Sequence, residues 1–227
     1  MNTATISGLV SSRLNEGGTP TFYPYPEILA AVNEGQRLFC VLTLALEKQF
    51  PLLILANTTF LHLLPTVPDY LAPLRLTDTS SGAKVRPATF AELWARDAAW
   101  PATIGPLTRY VAAGADLVAL YAQSAVPAQL MLQYAASPPL LVVGTDVPAI
   151  PPEYHQELVN YGIYRLRMVE GGAEFAATLP LLEHFLAGAQ EYGDYMRARN
   201  VAAGYDTLPF ELALFDRSRL VGKSKKK

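Results

Sequence analysis

One segment has to be buried on several sides. From Tyr23 to Phe50 the chain reads YPYPEILAAVNEGQRLFCVLTLALEKQF. Ile28, Val32, Phe39, Leu42 and Leu46 recur at spacings of three, four and seven, which predicts one apolar helical stripe. Glu27, Asn33, Glu34 and Arg37 fall largely off it. Between Leu38 and Leu46 only Thr43 is polar, and a helix apolar almost all round is enclosed by other elements. Pro24 and Pro26 suit an extended entry and a first turn, and Pro51 is expected to end the helix. Glu27 and Lys48 match the two ends of the helix dipole.

The pattern changes between Pro51 and Pro148. Prolines become frequent and apolar runs short, so the region reads as strands. Leu107–Ala113 and Asp116–Gln123, joined around Gly114, predict a hairpin, and Val126–Tyr134 is expected to continue it as a meander. Thr89 is placed to cap a short helix ending near Asp97. Helices then return. The stretch IPPEYHQELVNYGIYRLRMVEGG (150–172) is opened by prolines, closed by paired glycines and rich in tyrosine. A second helix runs from Ala173 to Asn200, either kinked at Pro180 or begun at Leu179.

The expected architecture is α+β. A helical bundle, made of the first helix and the two later ones, carries a small inserted antiparallel β region and ends in an extended C-terminal arm. The domain division is a flexible leader (1–22), a main domain (23–200, with helical core 23–50 and 151–200 and β insert 51–149) and an arm (201–227).

Half of the residues are apolar and only 17% are charged, enough for a substantial core. Mean hydropathy is +0.17, which fits either a well-filled core or a surface covered by another chain. A net charge of −2 lacks the basic excess of a general nucleic-acid binder. Cys40 is the single cysteine and reads as a small buried hydrophobe, as in a reducing cytosol. The first residues lack the apolar run of a secretion signal, and no apolar stretch is long enough to span a membrane.

Catalytic signatures are missing from the sequence. It contains no G-x-S-x-G, no phosphate-binding glycine loop and no H-E-x-x-H. His62, His155 and His184 stand at no ligand spacing, so no metal, cofactor or catalytic residue is expected. Glu153 and Glu157 lie one helical turn apart, but their place at a helix N-terminus already accounts for them. Lys223, Lys225, Lys226 and Lys227 form either a solvated end or a weak contact for DNA or an acidic surface.

Three segments carry a resemblance to a known family. ILAAVNEGQRLFC, with the polar set Asn33, Gln36 and Arg37, resembles the first helix of bacteriophage head–tail adaptor (connector, or neck) proteins. IPPEYHQELVNYGIYRL is similar to their later helix. RDAAWPATIGPLTRYV, with Trp100, Gly105, Pro106 and Tyr110, resembles their middle segment. The resemblance implies a virion structural protein rather than an enzyme. Its copies would form a ring, commonly of twelve, joining the portal to the tail or nozzle protein after assembly in the host cytoplasm. It implies that the arm reaches the portal, with Phe210, Leu212, Phe215 and Leu220 as anchors. Asn33, Arg37, Tyr161, Tyr164 and Arg165 are the candidates for the seam between subunits, tyrosine and arginine being common at such seams. The competing readings are another neck or tail component, of the tail-completion or nozzle type, and a small hydrolase.

Overall fold

The computed structural model describes residues 1–14 and 22–212, which separate into a helical unit and a sheet unit. The helical unit takes residues 1–43, 138–195 and the described end of the chain from 209. The sheet unit takes residues 44–137 and 196–208.

In the helical unit, α1 (Thr3–Arg13), α2 (Tyr25–Thr43) and α4 (His155–Glu170) pack together, and α5 (Gly172–Ala202) runs on from α4. The region expected as a loose leader therefore contains a helix. Asn2 caps α1 by accepting from the Thr5 amide at 2.9 Å, and Ile6 and Val10 are fully buried. The stripe of α2 is buried at Ile28, Val32 and Phe39, as its spacing predicts. α4 lies on α2 and buries Leu158, Val159 and Ile163. The close approach is built from small residues. A Cβ on Gly35 would stand 2.8 Å from the Tyr161 ring, and one on Gly162 would stand 3.2 Å from Val10. Phe39 sits among aromatic rings, with Tyr154 at 5.4 Å, Tyr192 at 6.0 Å and Phe185 at 6.1 Å. Pro180 lies inside α5 without ending it. It deprives the carbonyl of exposed Ala176 of its helical donor, and water can replace that donor there.

The sheet corrects the expected architecture. The chain is not a helical bundle with a small antiparallel insert. Seven strands form one mixed sheet in the order β1-β7-β3-β4-β5-β6-β2. They are β1 (Glu47–Ile54), β2 (Phe60–His62), β3 (Tyr70–Asp78), β4 (Lys84–Pro87), β5 (Arg109–Ala112), β6 (Leu117–Tyr121) and β7 (Ala128–Ala136). The β4/β5 pair is parallel, and α3 (Phe90–Arg96) lies between them in sequence. Thr89 caps α3 in a capping box with Glu92, as its position predicts. The β5–β6 hairpin also forms as expected, with Arg109 opposite Tyr121. β7 does not continue that meander. It crosses to the middle of the other half, between β1 and β3, where Leu130, Leu132 and Tyr134 alternate into the core.

The long first helix stops at Thr43, seven residues before Phe50. The Thr43 hydroxyl bonds back to the Phe39 carbonyl at 2.7 Å, and Leu44 takes a left-handed φ of 51°. Lys48 and Pro51 consequently lie in β1, not at a helix end. Proline is tolerated there because β1 is an edge. The Ala136 amide bonds the Leu46 carbonyl, so the even-numbered residues of β1 face β7, and Pro51 faces away from the ladder.

The start of the expected arm is likewise structured. Val201 and Ala202 end α5. Asp206 then pairs with Lys84 at 2.6 Å, and its amide bonds the Leu74 carbonyl at 2.8 Å. Glu47 receives Arg199 at 2.5 Å and the Tyr205 hydroxyl.

Candidate interaction surface

Two polar residues interrupt the apolar face of α2, and both reach to the loop between β7 and α4. The Asn33 amide forms a reciprocal pair with Leu141, accepting from its N–H at 2.8 Å and donating to its carbonyl at 3.0 Å. Gln36 donates to the Pro139 carbonyl at 3.0 Å and accepts from the Ala149 amide at 2.8 Å. Gln36 is buried, so these bonds complete polar groups that would otherwise be costly.

The same loop is tied to itself and to α1. Asp146 accepts from the amides of Val142 at 2.7 Å and Val143 at 3.0 Å, and these bonds hold its carboxyl below the usual range. The first-turn amides of α1 have no partners within their own helix. Thr3 donates its amide to the Asp146 carbonyl at 2.7 Å, and Ala4 donates to the Gly144 carbonyl at 2.9 Å.

The product is a pinned loop with Leu141, Pro148 and Ile150 inside and four apolar side chains outside. Leu141 is 3% exposed. Leu140, Val142, Val143 and Val147 are 76%, 67%, 53% and 61% exposed. A rigid backbone presenting a group of apolar side chains to solvent has the character of a contact surface.

The sequence-predicted seam residues divide around this loop. Asn33 holds it. Arg37 is exposed beside it, next to Gln36 and one helical turn from Asn33, with no ion pair among the described residues. Tyr161 is buried against Phe185 at 4.8 Å and donates its hydroxyl to Glu34 at 2.9 Å; burial pushes that hydroxyl's pKa up. Arg165 bonds the other Glu34 oxygen at 2.9 Å, and the carboxylate raises its pKa. Tyr164 is half-buried, 5.8 Å from Phe175. Of the arm residues, Phe210 is 63% exposed and Leu212 half-buried. Phe215, Leu220, Lys223, Lys225, Lys226 and Lys227 lie outside the described residues.

The remaining titratable groups are dispersed. Cys40 is buried, which pushes its thiol up to about 12. His62 lies 3.4 Å from Asp116 in the sheet unit. His155 is buried in the helical unit, and His184 is exposed on α5. Glu157 accepts from Asn160 at 3.0 Å. Among the described residues no three of His, Cys, Asp and Glu gather as a metal site, and no helix is long and apolar enough to cross a membrane.

The loop went unread in the sequence, where PPLLVVGTDVP has neither a helical nor a strand period. The available signal was the pair Asn33 and Gln36 on an otherwise apolar helix face.

No curated protein matches the chain. Residues 1–207 match the family described as SU10 adaptor protein, and with nearly its whole length covered the chain belongs to that family of phage adaptor structural proteins, components of the virion.

Proposed function

We propose that the protein is a head-to-tail adaptor whose copies form a ring, twelve in the number the resemblance implies, joining the portal to the tail or nozzle protein. It is made and assembled in the host cytoplasm and works by contact, not catalysis. The observation that carries this reading is the family match over residues 1–207. The pinned loop supports it. Four bonds from Asn33 and Gln36 are spent on holding an apolar surface outward, and such an arrangement lowers the ordering cost of binding another protein.

Arg37, Tyr164 and Arg165 are the outer residues of the proposed seam, with Tyr161 and Asn33 supporting them from inside. The portal contact is assigned to the arm (201–227), with Phe210, Leu212, Phe215 and Leu220 as anchors. The terminal lysines add an electrostatic contact to an acidic surface or to DNA.

Co-sedimentation with the portal ring of the same phage tests the assignment. Wild type should travel with the ring. The double variant Phe210→Ser, Phe215→Ser should keep its circular dichroism spectrum and lose portal binding. Unchanged binding would remove the arm from the portal contact. A wild-type chain that ignores the portal would defeat the adaptor reading itself.

A further inference from the structure

The loop's outward surface carries no charge that it could share with a partner. Asp146 is its only ionisable residue, and that carboxylate is committed to the Val142 and Val143 amides. Arg37 follows Gln36 and lies one helical turn from Asn33, the two residues that hold the loop, and it is exposed and without an ion pair among the described residues. The surface that fits this combination is largely uncharged and carries an unpaired carboxylate.

α5 presents such a face. Phe185, Ala189 and Gly193 turn inward at spacings of four. The opposite line, Pro180, His184, Ala187, Glu191 and Tyr195, advances by three or four residues at a time and is exposed throughout. Between Val169 and Met196 the sequence holds no Lys or Arg, so Glu191 has no competing cation within that stretch of α5. Glu191 is exposed and has no ion pair or hydrogen bond among the described residues.

We propose that the pinned loop of one copy seats on the outer face of α5 of a second copy, with Arg37 set against Glu191. This rests on the self-assembly reading above and names its two halves. Charge selects the occupant. Pairing loop with loop would bring two Arg37 side chains together with no free acid from either loop, whereas loop on α5 gives each arginine a carboxylate. The two patches differ, so the contact is heterologous and repeats from copy to copy, as a ring requires.

The test is photo-cross-linking of the full chain with a benzophenone amino acid at Val142. Isotopically labelled and unlabelled copies are mixed, in concentrated solution and on portal rings. Mixed-label cross-links should map to the α5 peptide containing Pro180–Tyr195. Arg37→Glu and Glu191→Arg should each lower that yield several-fold, and together they should restore it. All these positions are exposed, so thermal melting should be unchanged. Cross-links that are only intrachain, or that map to another surface, overturn the proposal; a double variant as poor as the singles overturns the charge pair. Portal binding without the mixed cross-link refutes this contact and keeps the adaptor reading. The cross-link without portal binding does the reverse.

Discussion

At Gly35 the absent side chain sets how closely α2 and α4 approach. The Tyr161 ring that would meet a new Cβ at 2.8 Å cannot retreat freely, because its hydroxyl is held by Glu34 and its face by Phe185. Gly35→Ala should therefore lose about 1–3 kcal/mol to overpacking, offset by about 1 kcal/mol of helix propensity. A lower urea midpoint at unchanged slope is the expected reading, and a higher midpoint would show that the ring can move. His155 is the residue whose charge state the fold constrains most directly. It is fully buried, its Nε2 lies 3.0 Å from the Ile150 carbonyl, and Met1's amino group lies 2.8 Å from Nδ1. Burial holds its pKa below the ordinary 6.5, and the nearby amino charge adds to this. The folded chain keeps the imidazole neutral, so its contribution is complete above pH 6.5. It is lost as pH falls from 6.5 through the lowered folded value, because the unfolded chain takes up the proton first. Stability should fall with decreasing pH across that window, with a slope no steeper than the roughly 1.4 kcal/mol per pH unit of one whole proton. His155→Gln should flatten it, and an unchanged slope would assign the acid sensitivity to other groups.

Among the elements, β1 shows why the fold was only partly legible. Its segment, Leu44 to Ile54, with apolar residues on both sides of Glu47, Lys48 and Gln49, reads equally well as the end of a buried helix or as a strand, and periodicity cannot separate the two over so short a span. The difference is made at Leu44, where a left-handed turn redirects the chain onto β7, the last strand in sequence. The elements read correctly carry local punctuation: the Thr89 cap, the glycine turn of the β5–β6 hairpin, and the prolines and glycines that bracket α4. What went unread is non-local. The parallel β4/β5 pair, the placement of β7 and the pinned loop all depend on partners distant in sequence; Asn33 bonds a residue 108 positions away. Pro51 yields a prediction at this scale. It removes an outward-facing N–H from the middle of an exposed edge, which blocks another strand from adding there. Pro51→Val should leave the melting temperature nearly unchanged and raise light scattering during incubation at high concentration. If the variant scatters no more than wild type, the edge is protected by something other than its proline.

For the whole molecule the question is whether one loop-to-α5 contact is enough to hold two copies together. Burying a Val or Leu side chain completely contributes about 1.5–3 kcal/mol. The loop offers Leu140, Val142, Val143 and Val147, each already partly covered, and association costs about 4–15 kcal/mol in lost freedom of motion. One such contact therefore gives at best a weak pair. A copy completing a ring makes two contacts and loses its freedom once, so the same surface that fails in solution succeeds when a template gathers the copies. The isolated chain should sediment close to its 24.7 kDa mass at low concentration and rise only gradually as concentration increases. The small rise should persist from low to high sodium chloride, because apolar burial supplies most of it and a single Arg37–Glu191 pair supplies the rest. Adding the portal ring should convert the same material into a stacked assembly. Sedimentation velocity over a concentration series at two salt levels separates this account from its opposite. A tight dimer that dissolves in salt would mean that charge, and a two-fold contact, governs association.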